Sequence, residues 1–346
     1  MPHPTQALGV LLMAAAFACG ASSASGGDAG RPTSMRTRLT LSGSQWHFNG
    51  HATYPGSPAE GLLMNVRMVN CIFEDRNAKT RPEGFDPDAN TTAFIARIPD
   101  YVAHGVRAFT VSLQGGMPGY EKALNSAFNP DGSLRASYLE RAERVIRAAD
   151  AAGACIILCC YYQRQDQVLD DPGAVRAGVV NAAKWVAGKR FGNVALEIAN
   201  EYPHGGFNHR LIRSPEGIAE LIGLAKRAAP GLLVSASGLG NGRCHKEVCQ
   251  AADFLLIHFN STPVPDIPKR VAALRSYGKA IVCNEDDKTG RTAAQAAQAA
   301  VKAGCSWGFM HSKVNQYVPF QFNGHRDDPV VYTTLKRLTS PPDASR

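Results

Sequence analysis

Residues 194–201 read VALEIANE. A short run, apolar except for Glu197, stops at the polar pair Asn200-Glu201, and the turn residues Pro203, Gly205 and Gly206 follow. This is the form of a parallel strand buried on both faces, with its carboxyl end opening to solvent. The same form recurs along the chain as LMNVRMV (63–69), VRAFTVSL (106–113), ACIILCC (154–160), LLVSA (232–236), DFLLIH (253–258), AIVC (280–283) and CSWGFM (305–310). Between these runs lie segments of helical period at 137–152, 172–186, 215–229, 268–277, 291–303 and 329–338, and a shorter one near 245–252. Ser214-Pro215-Glu216 supplies an N-cap, a proline for the first turn and an acid for the helix dipole. Gly105, Gly153, Gly192, Gly231, Gly278 and Gly304 each stand just before a strand, where a left-handed helix cap is expected.

Strand–helix alternation gives either an open doubly wound sheet or a closed barrel. Eight units favour closure. An open nucleotide-binding sheet would carry G-x-G-x-x-G after its first strand, whereas Gly238, Gly240 and Gly242 follow the fifth strand with the wrong spacing. The expected fold is therefore α/β, a (β/α)8 TIM barrel spanning 38–340 as a single domain. Ahead of it, 39–56 alternates polar and apolar residues around Asn49-Gly50, which reads as an N-terminal β-hairpin cap with Trp46 buried beneath it.

Residues 1–24 read as a signal peptide, with an apolar run over 7–18 and small residues for cleavage after Ala24, and residues 25–37 as a flexible lead-in. A secreted or periplasmic protein is expected; Cys19 raises a lipoprotein alternative that Phe17 fits poorly. No later run is long and apolar enough to span a membrane. The net charge of +8 comes from Lys and Arg scattered singly along helices, so no nucleic-acid partner is expected. Most of the nine cysteines sit in apolar runs as small buried hydrophobes. Cys244 and Cys249, in a polar stretch, are either a local disulfide or two free thiols.

Reactive side chains of such barrels stand at the carboxyl ends of strands. Here those ends carry Asn200-Glu201, His258-Phe259-Asn260, Asn284-Glu285 and Tyr161-Tyr162-Gln163. Glu201 and Glu285 are three strand–helix units apart and face each other across the mouth. Glycosidic cleavage needs such a pair, one carboxylic acid to protonate the leaving oxygen and one carboxylate to attack the anomeric carbon. Taken singly, either Glu could be a helix N-terminal acid or a loop salt bridge.

NVALEIANEYPHG (193–205) resembles the fourth-strand signature of glycoside hydrolase family 5 and its clan, in which Asn-Glu ends that strand. IHFN (257–260) resembles the family's sixth-strand motif, AIVCNED (280–286) stands where its nucleophile strand does, and SWGF (306–309) brings Trp307 to the eighth. The resemblance implies a retaining glycosidase acting on a carbohydrate substrate, with no cofactor and no metal. Glu201 would be acid/base, Glu285 nucleophile and Asn200 the holder of the sugar 2-hydroxyl. His258 would line the subsite, and Trp307 would floor the cleft.

The chain departs from the pattern at four places, one of them Asp286-Asp287 after Glu285, where the family has an aromatic. Tyr161 replaces a histidine, Asn260 a tyrosine, and Thr110 the second-strand arginine. Tyr161 and Asn260 are kept as substrate-binding candidates. Arg67 is the candidate for the missing positive charge, a structural ion pair being its alternative. Asp286 and Asp287 would raise the pKa of Glu285 unless a cation such as Arg67 or Lys288 answers them. A catalytically silent carbohydrate-binding barrel is the competing reading. A metal-dependent barrel is disfavoured, since no His-x-His or His-Glu-x-x-His pattern is present.

Overall fold

Eight parallel strands make the core, as the sequence pattern requires. The computed structural model describes residues 1, 35–116 and 122–342, and the expected signal peptide falls outside them. The strands, in chain order, are β1 Leu39–Ser42, β2 Gln45–Phe48, β3 His51–Ala52, β4 Asn65–Arg67, β5 Ala108–Ser112, β6 Cys155–Tyr161, β7 Val194–Ala199, β8 Leu233–Ser235, β9 Leu255–His258, β10 Ile281–Glu285 and β11 Gly308–Phe309. Strands β11-β4-β5-β6-β7-β8 form one parallel ladder and β9-β10 another. Bridges at Ser237–Leu256, Val282–Ser306 and Asp286–Phe309 join the two ladders into a ring of eight. Each of the eight runs read from the sequence is one of β4 to β11, so the fold is the (β/α)8 barrel.

Period-two alternation divides the strand side chains into two layers. Phe109, Ile156, Leu158, Leu196, Ile198, Leu255 and Ile257 face the helices and belong to the main core. Their neighbours Ala108, Cys155, Ile157, Ala195, Leu256 and Val282 pack in a second cluster that also holds Trp46. Trp46 is wholly buried, its ring edge-on to Phe254 at 5.1 Å. The cap is thus a three-stranded antiparallel sheet, β1-β2-β3, resting on that second cluster. Asn49 (φ 53°) and Gly50 (φ 86°) turn between β2 and β3, the two left-handed positions of a tight hairpin.

Helices at Ala136–Ala151, Pro172–Gly188, Pro215–Ala228, Lys246–Ala251, Ile267–Ala272, Gly290–Lys302 and Pro329–Thr339 follow the expected segments. The Ser214 hydroxyl accepts from the Gly217 amide, as its N-cap position implies. Three helices were not read from the sequence: the short Arg210–Arg213, and Pro87–Ile95 and Ile98–Ala103, which fill the first unit. Pro99 interrupts this stretch, and the first of its two helices shows almost no sidedness. Of the glycines expected to be left-handed, Gly192 is not; Arg190 (φ 57°) takes that conformation instead. A Cβ at Gly192 would lie 3.1 Å from the Thr37 carbonyl oxygen, so close approach explains the glycine.

The lead-in is anchored at its end, where the Arg36 and Thr37 amides donate to the Asp150 carboxylate at 3.0 and 2.7 Å. Every cysteine of the described residues is a free thiol, Cys244 and Cys249 included, so the second of the two alternatives for that pair holds. Among the described residues no helix is long and apolar enough to cross a membrane.

Replacing Trp46 by alanine removes the contact between cap and barrel. We expect a loss of about 3–5 kcal/mol of stability in urea unfolding, by the usual scale for buried aromatics. An unchanged midpoint would contradict the plug role of the cap.

Candidate active site

Strand β4 carries Arg67 into the barrel mouth, wholly buried, and in the parallel register Arg67 pairs with Thr110 of β5. The positive charge therefore sits one strand away from Thr110 at the same level. Its Nε lies 2.7 Å from Glu285 Oε2, and its Nη2 donates to Asn200 Oδ1 at 2.7 Å. The Tyr162 ring lies under the guanidinium, 5.8 Å from its centroid. The Gln316 side chain donates to the Arg67 carbonyl at 3.1 Å and so ties the loop after β11 to this strand.

Glu285 reaches Arg67 because β10 slips register between Cys283 and Glu285. Strict alternation would send Asn284 inward and Glu285 outward; a bulge re-aims the chain so that both face the interior. Asn284 donates to Glu197 Oε2 at 3.2 Å, while Asn260 donates to Glu285 Oε1 at 2.5 Å. Asp286 points elsewhere, accepting from Trp307 Nε1 at 2.9 Å and pairing with Lys288 at 2.9 Å. Arg67 answers Glu285 and Lys288 answers Asp286, the two cations that the acidic run called for.

Glu201 stands just beyond β7 with φ of 47°, a left-handed backbone that costs a non-glycine residue about 1–2 kcal/mol. Ser237 holds it there, its hydroxyl accepting the Glu201 amide at 3.0 Å and its carbonyl the Tyr202 amide at 3.1 Å. Gln163 donates to Glu201 Oε2 at 3.0 Å and accepts from Asn200 at 3.2 Å. His258, wholly buried at the end of β9, places Nδ1 3.4 Å from Glu201 Oε1 and 3.6 Å from Glu285 Oε2. An oxygen of Glu201, an oxygen of Glu285 and a ring nitrogen of His258 all lie within 4.8 Å of one another. A divalent cation could take such a trio, but it would compete with Arg67 for Glu285.

Burial pushes the Glu285 carboxyl up, but Arg67, His258 and the Asn260 amide overcome this and hold it below the usual carboxylate range. His258 is pushed down by burial and held above its ordinary value by Glu285 and Glu201. Glu197, enclosed in the barrel, is raised by burial against the pull of Arg67 and His258. The site thus combines an ionised carboxylate with a neighbouring imidazole that favours its charged form.

Of the residues singled out from the sequence, Arg67, Asn200, Glu201, His258, Asn260 and Glu285 meet here. Tyr161 and Trp307 do not. Tyr161 faces the helix layer, its hydroxyl donating to the Val175 carbonyl at 2.6 Å and its ring against Phe128. Trp307 is wholly buried and stacked on Phe309, with no face toward the cleft. Glu197 was missed, and Asn284 was noted only as part of a polar strand end. A carboxylate inside an otherwise apolar parallel strand was the available signal for Glu197. A separate cavity of about 700 Å³ is lined by Arg76, Lys122, Phe128, Arg164, Gln165 and neighbouring residues, and none of the six meeting residues lines it.

No family model and no curated protein matches the chain. Solved structures do. The endo-1,4-β-mannanase from Eisenia fetida superposes with a TM-score of 0.58 at 14% identity, covering 88% of this chain and 95% of that one. The β-mannanase from the blue mussel Mytilus edulis gives 0.57 at 13%, covering 87% and 96%. A broad specificity endoglucanase from Bacteroides salanitronis gives 0.57 at 13%, covering 83% and 96%. The chain has the barrel fold of the family 5 glycoside hydrolases.

Removing the charge of Arg67 leaves the buried Glu285 with only His258 and the Asn260 amide to answer it. Because the paired carboxyl has a lowered pKa, its stabilising contribution is present above the unfolded-state pKa and lost as pH falls through the folded one. Arg67→Met should therefore destabilise by about 3–5 kcal/mol near neutral pH, with a smaller deficit near pH 4 as Glu285 takes up a proton. Urea unfolding of both proteins at the two pH values tests this; an equal deficit at both would contradict the pairing.

Proposed function

We propose that this chain is a retaining glycoside hydrolase that cleaves β-linked bonds of a poly- or oligosaccharide, with Glu285 as nucleophile and Glu201 as acid/base. The observation that carries the reading is the carboxylate pair, whose nearest oxygens lie within 4.8 Å. Retaining enzymes hold their carboxyl groups ~5–5.5 Å apart, whereas inverting enzymes hold them ~6.5–9.5 Å apart to admit a water. The neighbouring ion pair supports the assignment of roles: the carboxyl kept anionic by Arg67 is the one suited to attack.

In the first step Glu285 attacks the anomeric carbon while Glu201 gives its proton to the departing glycosidic oxygen, leaving a glycosyl ester on Glu285. In the second, Glu201, now a carboxylate, takes a proton from water as the water oxygen attacks the same carbon and releases Glu285. Asn200 is assigned to the sugar 2-hydroxyl. His258 and Asn260 border the reacting carbon's subsite, Asn260 also holding Glu285 in place through Oε1. The glycosidases that share the fold include mannanases and endoglucanases, so β-linked mannans and glucans are the first substrates to test. The reading includes export through the signal peptide at 1–24.

Glu285→Gln should lower kcat on an accepted β-glycan by about 10³-fold or more, within the ~10²–10⁴ attributed to single positioned acid–base groups and beyond it for a nucleophile. Circular dichroism should show the fold intact. Activity surviving in this variant would remove Glu285 from the mechanism. Glycan binding by the native protein with no new reducing ends from any substrate would favour the silent barrel instead. The acid limb of kcat/KM should fall below the ordinary glutamate range near ~4.3, because Arg67 holds Glu285 down.

A further inference from the structure

The cavity of about 700 Å³ is walled by the loops that follow β4, β5 and β6, so it opens on the same end of the barrel as the carboxylate pair. Its volume lies within the ~300–1,000 Å³ of small-molecule sites. Arg76, Lys122 and Arg164 line it, one from each loop, and among the described residues none that lines it is acidic. Asn77, Gln165 and Gln167 add amides, while Leu124, Phe128 and Val168 supply apolar surface. Three cations thus share a space with neutral hydrogen-bonding groups and an apolar wall.

Hydrogen bonds between the loops hold these walls. The Asn77 side chain donates to the Lys122 carbonyl at 2.9 Å, and the Arg76 amide donates to the Leu124 carbonyl at 3.1 Å. Gln165, itself buried, joins the second and third loops, donating to the Ala123 carbonyl at 2.9 Å and accepting from the Asn125 amide at 3.0 Å. Lys122 (φ 67°) and Arg164 (φ 60°) both take the left-handed backbone, which persists in non-glycine residues where the surroundings over-determine it. The neighbouring carboxylates are engaged elsewhere. Asp75 accepts from the Thr80 hydroxyl and the amides of Asn77 and Leu124, and Asp166 from the amides of Asn208 and His209. Glu74 serves three guanidiniums at once: Arg135 and Arg141 donate to it, and Arg76 Nε stands 3.7 Å away. Positive charge is therefore in excess beside the cavity. Burial and the charge of Arg135 accordingly push the Arg76 guanidinium below its ordinary value, against the pull of Glu74.

Guanidinium and ammonium groups recognise carboxylates and sulfates through charge-assisted hydrogen bonds, and neighbouring amides complete the contacts to hydroxyls. The run Gln163-Arg164-Gln165 connects the cavity to the chemistry: Gln163 donates to Glu201, and the next two residues line the cavity. We propose that this cavity binds an anionic sugar unit of a glycan, one carrying a carboxylate or a sulfate ester, through Arg76, Lys122 and Arg164. The net charge of +8, scattered over the chain without a nucleic-acid motif, favours encounter with such a polyanion. That the bound unit belongs to the chain being cleaved rests on the glycosidase reading; that it is anionic rests on the cavity.

The test is calorimetric titration of Glu285→Gln, which holds a glycan without turnover, with tetramers of β-1,4-linked glucuronate and mannuronate, with sulfated cellotetraose, and with neutral cellotetraose and mannotetraose. At least one acidic chain should bind tenfold or more tightly than the neutral chains, and this preference should shrink as salt is raised to about 0.5 M. Adding Arg164→Gln should remove the preference and leave neutral binding unchanged, whereas Arg164→Lys should keep most of it; Lys122→Gln serves should Arg164→Gln fail to fold. Equal binding of acidic and neutral chains, no acidic binding at about millimolar, or a preference undiminished in both Arg164→Gln and Lys122→Gln would each overturn the proposal. Incubating the native chain with the same glycans separates the two readings. Acidic chains bound through Arg164 but left uncleaved would uphold the cavity and count against the glycosidase, while cleavage of neutral chains with no preference for acidic ones would uphold the glycosidase and overturn the cavity.

Discussion

A guanidinium enclosed in a barrel interior must be answered by charge where it stands, because desolvation of an unpaired buried ion is worth several kcal/mol. Arg67 is that ion, and the mouth of this barrel is arranged around it. Glu285 pairs with it directly and Asn200 accepts its second donor. Tyr162 supplies a ring face. The carboxylate nearest to it is held ionised as a consequence. The same pair thus stabilises the fold and prepares an anion for chemistry.

The architecture separates stability from reactivity. At one end the cap sheet seals the barrel through Trp46, while at the carboxyl ends of the strands the backbone is used to aim side chains. A bulge in β10 turns Glu285 inward, and a left-handed residue after β7 presents Glu201. Such local departures from regular geometry persist when the surroundings over-determine them, as Ser237 does for Glu201.

The eight strands and most of the helices were legible because buried parallel strands leave unbroken apolar runs and the helices between them keep their period. The pair of glutamates was legible because strand ends are where an eight-unit barrel places its chemistry, and Arg67 because a displaced charge was needed. What could not be read was the direction of side chains at those ends. Tyr161 looked equivalent to Tyr162 but faces the helix Pro172–Gly188, and Trp307 serves Asp286 rather than the cleft. A one-residue change in alternation reverses a side chain, and no composition signal marks it. Gln163, one of several polar loop residues in the sequence, emerged as the link between Glu201 and Asn200 only through its contacts.

The central claim is that Glu201 and Glu285 act as a retaining pair. Proton NMR of the first-formed product, recorded before mutarotation during cleavage of a defined β-linked oligosaccharide, reads this directly. The account predicts that the β-anomer appears first and the α-anomer later. Initial release of the α-anomer would mean inversion and would contradict it.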